Sequence, residues 1–134
     1  MKQEDKDLLL KDLCARLPYG VKVKMEYYDD AWNICSINPN GVTFVTKYTG
    51  YPIETNWENC KPYLFPLSSM SERQCYELSS IRSSFQDCWK YIKTPIPLSI
   101  CNFEQIEWFH KNHMDYRGLI PMGLANDATG LNIY

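Results

Sequence analysis

Alternation of apolar and polar residues between positions 21 and 28 restricts the fold of this chain more than any other feature. Successive side chains of a β-strand point to opposite faces of a sheet, so the pattern predicts one buried face and one solvent-facing side. Similar short runs at residues 32–37, 42–48 and 51–55 predict three further strands. The sequence therefore predicts a small antiparallel sheet within residues 20–67. The apolar face of its first strand comprises Val21, Val23, Met25 and Tyr27.

Turn-forming residues separate the predicted strands. Asp-Asp at 29–30 joins the first two strands, Asn-Pro-Asn-Gly at 38–41 predicts a hairpin, and Thr-Gly at 49–50 predicts another turn. Pro62 and Pro66 then exclude a regular helix and a central strand, so a one-turn 3₁₀ step and a short edge strand are expected there. A helix followed by four or five short strands is the outline of an SH3-like or Sm-like barrel. An open sheet that carries the helix predicts the same pattern.

A helix is predicted before the sheet, over residues 4–17. Its apolar residues recur at intervals of three and four, and Pro18 ends it because the residue before a proline is disfavoured in the helical region. Gly20 then allows a sharp turn into the first strand. The polar face of this helix carries Lys6, Asp7, Lys11 and Asp12.

The second half of the chain is predicted to be helical. Residues 69–72 match a capping box, which predicts a helix from residue 70 or 71 to about residue 80, and residues 79–93 either extend it or begin anew. Thr-Pro-Ile-Pro at 94–97 interrupts the pattern, and Asn102 with Gln105 predicts the start of a last helix. The rest of the chain reads as an ordered loop.

This order of elements predicts a single α+β domain over residues 1–134. A helix and β-meander occupy residues 1–67, and a helical part occupies residues 68–134. At this length a chain buries roughly two-thirds of its unfolded surface without help from metals or disulfides. The sequence leaves the oligomeric state open.

Composition restricts the classes of partner. The net charge is −2 and the basic residues are scattered, so the chain lacks the basic face of a generic nucleic-acid-binding protein. No apolar run approaches the roughly 20 residues of a membrane span, and the acidic first residues do not match a signal peptide. Six cysteines lie far apart without a C-x-x-C pair. We therefore expect reduced thiols and a cytoplasmic protein.

His110 and His113 are the candidate metal ligands, because they lie one helical turn apart with Glu107 one turn earlier. A structural zinc site needs four ligands, and this segment offers at most three. We therefore expect a solvated or capped helix end, with no metal and no cofactor. No cysteine or serine lies in a motif for nucleophilic catalysis, and no glycine-rich phosphate loop occurs. We expect no enzymatic activity.

Aromatic residues supply the strongest binding signal, since they make up 14% of the chain and many fall at predicted strand ends and turns. Core packing is the default for any one ring, but each hydroxyl or indole N–H needs a partner if it is buried. Stacking of a nucleobase on an exposed ring gives about 1–3 kcal/mol, and an arginine fork can bind a phosphate. Tyr116-Arg117-Gly118 is the best single candidate, with a structural pairing of Arg117 to Asp115 as the alternative. The predicted ligand-binding residues are Arg16, Tyr19, Trp57, Lys61, Tyr63, Tyr116 and Arg117.

Three blocks of sequence carry a resemblance. They are KDLCARLPYGV at 11–21, KPYLFPLSSMS at 61–71 and DYRGLI at 115–120. In this order they resemble a family of short proteins, without assigned catalytic residues, from gut anaerobic bacteria and their phages and mobile elements. Phe65 stands where the family pattern leads us to expect a basic residue. The resemblance implies a small accessory protein of phage or mobile-element origin that works in the cytoplasm of a bacterial host.

These observations favour binding without turnover. The first hypothesis is capture of a small nucleotide-derived ligand, such as a host defence signal, which would serve immune evasion. The alternative is an adaptor that binds a host or phage protein through the predicted barrel. The first depends on exposed aromatic rings beside arginines, and the second depends on an accessible edge of the sheet.

Overall fold

Helix α1 (Gln3–Arg16) opens the fold, and a 3₁₀ turn at Leu17–Tyr19 follows it. The computed structural model of the protein describes residues 1–38, 42–46, 51–81 and 102–134. Pro18 lies in the 3₁₀ turn, where its ring prevents α1 from continuing. Gly20 adopts a φ of 70°, which turns the chain toward the first strand. The helix predicted over residues 4–17 is confirmed to within one residue at each end.

The strands follow α1 as the alternation predicts. Within the described residues they are, in chain order, β1 (Lys22–Met25), β2 (Ala31–Ile37), β3 (Val42–Thr46), β4 (Ile53–Asn56), β5 (Cys60–Pro66), β6 (Met114–Asp115) and β7 (Asn126–Asp127). Their order across the sheet is β4-β3-β2-β1-β5-β6, and β7 also pairs with β5. Neighbours from β4 to β5 are antiparallel, whereas β6 and β7 run parallel to β5.

The mixed α+β class and the predominantly antiparallel sheet are confirmed. A closed barrel is not seen, because the path of paired strands in the described residues ends at β4 on one side and at β6 on the other. Of the two arrangements that the sequence left open, the structure has the open sheet. A shift of register between Ile34 and Ser36 interrupts the pairing of β2 with β3.

The first strand is shorter than the alternation predicts. It ends at Met25, because the amide of Tyr28 donates a hydrogen bond of 3.1 Å to the carbonyl oxygen of Met25 and closes a turn. Tyr27 lies in this turn and is 87% exposed. The prediction that Tyr27 continues the buried face is therefore wrong, since a turn in the backbone ends the alternation of side-chain direction.

Helix α2 (Glu72–Ile81) begins with a capping box two residues later than predicted. The hydroxyl oxygen of Ser71 accepts a hydrogen bond of 3.1 Å from the amide of Gln74. The Gln74 side chain in turn accepts one of 2.9 Å from the amide of Ser71. The pair is therefore Ser71 with Gln74 rather than Ser69 with Glu72. A 3₁₀ turn at Leu67–Ser69 precedes the cap and holds Ser69 outside the helix.

Helix α3 (Phe103–Lys111) has the predicted cap. The Asn102 side chain accepts from the amide of Gln105 at 2.8 Å, and the Gln105 side chain accepts from the amide of Asn102 at 2.9 Å. These reciprocal bonds satisfy two amide groups that a helix start would leave without partners. Four predicted features lie outside the described residues: the hairpin turn at 39–41, the turn at 49–50, the helical extension over 82–93 and the break at 94–97.

Helix α1 packs on the sheet through Leu9 and Leu13, which are fully buried. Each such leucine stabilises the fold by about 1.5–3 kcal/mol relative to an exposed one. Their buried partners in this cluster are Val23, Met25, Val45, Trp57 and Cys60. A second cluster joins α2 and α3 to the segment around β6, and its buried members are Leu67, Met70, Cys75, Leu78, Phe109, Met114 and Tyr116. The two clusters fix α1 and the chain after α3 against the sheet.

The segment after α3 adds two strands where the sequence predicts a loop. Met114 in β6 pairs with Phe65, and Asn126 in β7 pairs with Tyr63, so both strands extend the ladder of β5. Each has two residues, which is too short for alternation to be visible. In the part of the chain that the structure describes, no helix has the length and apolar character that crossing a membrane requires.

Candidate functional site

Three of the predicted ligand-binding residues meet around the carboxylate of Asp12. Arg16 Nε donates to Asp12 Oδ2 at 2.8 Å, and Arg16 Nη2 donates to the carbonyl oxygen of Met114 at 2.7 Å. Arg117 Nε lies 3.1 Å from Asp12 Oδ1 and donates to the Tyr116 hydroxyl at 3.1 Å. The guanidinium carbons of both arginines lie over the Tyr116 ring, 5.4 and 5.1 Å from its centroid. These three predicted residues lie close together, but they bind one another and Asp12.

This Asp12 cluster (Asp12, Arg16, Tyr116 and Arg117) is an internal structure. Arg16 and Asp12 have 0% exposure, and the Arg117 side chain has 11%. Their mutual contacts and the carbonyl of Met114 compensate the large penalty of removing these charges from water. A guanidinium group enclosed in this way offers no face to an external ligand. The cluster ties the end of α1 to the segment that follows β6.

Asp12 is fully buried, so the prediction that it lies on the exposed polar face of α1 is wrong. The helical pattern places it opposite the leucines, but the segment after α3 covers this side of α1 and supplies Arg117 as a counter-ion. The expected alternative for Arg117 was Asp115. That carboxylate instead accepts the amide hydrogens of Leu119 and Ile120 at 2.8 and 2.9 Å, which orders the loop after β6. Only contacts distant in sequence decide these pairings.

His110 extends the cluster by one hydrogen bond. Its Nε2 lies 2.6 Å from the Tyr116 hydroxyl. Arg117 donates to the same phenol oxygen, and with the proton of neutral His110 on Nδ1 the phenol hydrogen is donated to Nε2. Burial, followed by the charges of Arg16 and Arg117, lowers the pKa of His110 to about 4. His110 is therefore an uncharged acceptor at neutral pH.

His113 faces a different neighbour. Its ring stacks on Tyr134 with a centroid distance of 3.6 Å and an angle of 13° between the planes. Burial, followed by the charges of Arg16 and Lys22, lowers its pKa to about 4. The two imidazoles thus point at separate partners. Among the described residues, no group of three or more His, Cys, Asp or Glu side chains is placed to hold a metal ion.

The remaining predicted aromatic residues pack inside or against the protein. Trp57 is 8% exposed and belongs to the cluster under α1, and Tyr63 in β5 is also buried. Burial raises the pKa of the Tyr63 phenol. Tyr19 is half-buried, and its hydroxyl donates a hydrogen bond of 2.8 Å to Glu107 Oε1. Trp57 and Tyr63 are thus core residues, whereas Tyr19 packs beside His110 with the two ring centroids 6.1 Å apart.

Lys61 is the one predicted residue that lines a described groove. The groove has a volume of about 530 Å³, within the range of small-molecule sites. Its lining residues are Met1, Lys24, Met25, Glu26, Glu58, Asn59, Lys61 and Asn126. No aromatic ring lines it, so it offers no platform for stacking a base. Its recognition chemistry is that of charges and amides.

Exposed tyrosines lie at one end of the β-meander. Tyr27 and Tyr28 follow the last residue of β1, and Tyr51 precedes the first residue of β4. In an antiparallel meander the end of β1 and the start of β4 lie at the same end of the sheet. Tyr51 is 98% exposed. The rings of Tyr28 and Trp32 make an edge-to-face contact with their centroids 5.2 Å apart. Neither Tyr27 nor Tyr51 is among the predicted ligand-binding residues, because the alternation assigns Tyr27 to the buried face of the first strand and places Tyr51 at the start of the fourth.

Strand β4 forms one outer edge of the sheet, and it begins at the end of the sheet where these tyrosines lie. Within the described residues β4 pairs only with β3, through the register from Val45 with Ile53 to Val42 with Asn56. An edge of this kind presents backbone N–H and C=O groups that can pair with another chain. We refer to β4 together with Tyr27, Tyr28 and Tyr51 as the tyrosine edge.

The described cysteines are free thiols, with Cys14 and Cys35 exposed and Cys60 and Cys75 buried. Burial raises the pKa of Cys60 to about 11, so this side chain stays protonated and acts as a core residue. Comparison of the chain with protein-family models, with curated proteins and with solved structures found no match. The arguments about function therefore depend on the geometry of the molecule itself.

Proposed function

We propose that this chain is a non-catalytic adaptor that binds a protein partner at the tyrosine edge. The observation that carries the proposal is the combination of the β4 edge, which pairs only with β3 among the described residues, with the exposed ring of Tyr51 just before β4 and that of Tyr27 at the same end of the sheet. Tyr27 and Tyr51 are 87% and 98% exposed. Tyrosine is enriched in protein interfaces, because its ring contributes apolar area and its hydroxyl can bond to either partner or water.

The mode of binding follows from the strand. An extended segment of the partner adds to β4 by backbone hydrogen bonds, and the tyrosines contact its side chains. Glu54 and Asn56 are exposed on β4, so the edge is polar enough to remain accessible in water. The four-strand meander β1–β4, the 3₁₀ turn at Trp57–Asn59 and the return of β5 to pair with β1 support an open sheet of SH3-like or Sm-like topology, which we propose as the type of fold.

The biological setting is part of the same proposal. The three sequence blocks that resemble phage-associated proteins of gut anaerobes support an accessory protein of phage or mobile-element origin. Its partner is then a host or phage protein in the bacterial cytoplasm. The structure offers a protein partner an accessible surface, whereas the arginines and rings expected to capture a nucleotide contact one another.

Capture of a small nucleotide-derived ligand is the second candidate. Lys61 favours it, because this predicted residue lies in the groove together with Lys24. In that case the ligand is recognised by charge rather than by stacking. The anti-defence role of such a protein would consist of sequestering the ligand without changing it.

Affinity purification from a lysate of gut anaerobic bacteria separates the two candidates. The double variant Tyr27→Ser/Tyr51→Ser removes both exposed rings, and Phe103→Ser removes a comparably exposed ring, at 78%, from the start of α3 as a matched control. The adaptor proposal predicts one stoichiometric protein retained by the wild type and by Phe103→Ser, with at least roughly tenfold loss in the double variant. Retention of the same proteins by all three would contradict it. A small molecule released by heating from the wild type and from both variants would support the second candidate.

A further inference from the structure

Two lysines occupy opposite positions on the antiparallel strands β1 and β5. Lys24 in β1 lies directly opposite Lys61 in β5 in the register of this pair. Their neighbours along both strands are buried, so the two lysine side chains share the solvent-facing side of the ladder. Directly opposite residues have their Cβ atoms about 5 Å apart. Within the described residues, neither ammonium group has an ion-pair or hydrogen-bond partner.

Such a pair opposes folding, because like charges directly across a ladder repel. The other residues of the groove neutralise little of the positive charge of this lysine pair. The carboxylate of Glu58 is 3.3 Å from the ammonium of Lys6, so it already has a cationic partner. Glu26 follows Lys24 by two residues and also lines the groove. Counting only the side chains of Lys6, Lys24 and Lys61 against those of Glu26 and Glu58, the local charge is +1. An anion between the two lysines would remove the repulsion.

We infer that the Lys24–Lys61 pair binds the phosphate group of a small phosphorylated polyol or sugar. Two lysine side chains whose Cβ atoms are about 5 Å apart can each bring an ammonium group to a different oxygen of one phosphate, and lysine binds phosphate as a point charge. The carboxylate of Glu26 and the amides of Asn59 and Asn126 lie in the same groove, where they can bond to hydroxyl groups. This site is independent of the adaptor proposal and gives the second candidate its ligand chemistry.

Thermal unfolding with ribose 5-phosphate and with ribose at equal millimolar concentrations tests the site. A ligand that binds only the native state raises Tm in proportion to the logarithm of its concentration over Kd. The wild type should show a rise in Tm with ribose 5-phosphate that ribose does not give, and high salt should reduce it. Lys24→Gln and Lys61→Gln should each weaken binding by about tenfold or more, which corresponds to about 1.4 kcal/mol.

Lys22→Gln is the matched control, because Lys22 lies two residues before Lys24 on the same face of β1 but opposite Asn33 and outside the groove. It should retain the full response. In the absence of ligand, Lys24→Gln and Lys61→Gln should unfold at a slightly higher temperature than Lys22→Gln, because only they relieve the repulsion. Equal responses to ribose and ribose 5-phosphate, or equal effects of all three substitutions, would overturn the inference. Neither result bears on the tyrosine variants, so each proposal can fail alone.

Discussion

Asp12 is the residue on which the interior arrangement depends most. It carries the negative charge that two arginines share, one from its own helix and one from the far end of the chain. The helical pattern of residues 4–17 predicts the helix but gives Asp12 the wrong face, because its environment is set by Arg117, more than a hundred positions away. A periodic pattern describes one helix; it contains no information about what the other side of that helix contacts.

Asp12→Asn should lower the free energy of unfolding by about 3–5 kcal/mol, because it leaves two buried arginines without their counter-ion. Urea denaturation measures this directly. Asp7→Asn changes the same residue type on the exposed side of α1 and should cost less than about 0.5 kcal/mol. Similar losses for the two variants would mean that the Asp12 cluster is not an internal ion network.

Protonation of the histidines should weaken the fold in acid. The pKa values of His110 and His113 are lowered to about 4 in the folded protein, from the ordinary 6.5. The unfolded chain therefore binds more protons between these values, and stability is present above pH 6.5 and is lost as the pH falls toward 4. We expect about 1–3 kcal/mol from each histidine after allowing for partial solvent access.

His113→Asn tests the contribution of one histidine to this pH dependence. Asparagine tolerates the positive φ of 57° at this position, so the backbone is retained. The variant should have a flatter profile of unfolding free energy between pH 6.5 and 4 than the wild type. A profile as steep as that of the wild type would show that His113 is not held neutral by the fold.

Strand β5 organises the elements, because β1, β6 and β7 all pair with it. Alternation and turn residues predict β1 to β5 in the right order, and the pairing of Asn102 with Gln105 predicts the start of α3. The two-residue strands after α3 could not be predicted, since they carry no period. The groove beside Lys61 was equally invisible, because the register of β1 on β5 alone brings Lys24 opposite Lys61.

Tyr134 strengthens the junction of β1 and β5. Its hydroxyl accepts from the amide of Lys22 at 2.9 Å and donates to the carbonyl oxygen of Tyr63 at 2.7 Å. Burial of this hydroxyl raises the pKa of Tyr134 to about 12, although part of the residue is exposed. Tyr134→Phe should lower the free energy of unfolding by about 1–3 kcal/mol, because two backbone groups lose their partner.

Tyr51→Phe provides the comparison in the same denaturation experiment. The Tyr51 residue is almost completely exposed, so removal of its hydroxyl should leave stability unchanged. If Tyr134→Phe were also neutral, the hydroxyl would not be bridging the two strands in solution.

At the scale of the whole molecule, function depends on which of the side chains with binding chemistry are buried and which are accessible. Sequence reasoning identified residues with binding chemistry, and Arg16, Tyr116 and Arg117 do lie together. They lie together inside, where they join α1 to the chain after α3. The accessible surfaces of the described residues include a polar groove without aromatic residues and the tyrosine edge, which carries exposed rings. Residue types predict which chemistry is available, but the tertiary fold decides whether it faces the protein or its partner.

Site-specific photo-crosslinking in a host lysate tests the central claim most directly. A benzoylphenylalanine at position 51 places a reactive ring on the tyrosine edge, and the same group at position 103 replaces another exposed ring far from it in sequence. Mass spectrometry then identifies the adducts. The account predicts that one protein crosslinks at position 51 and not at position 103. Absence of a protein adduct at position 51, or the same adducts at both positions, would contradict it.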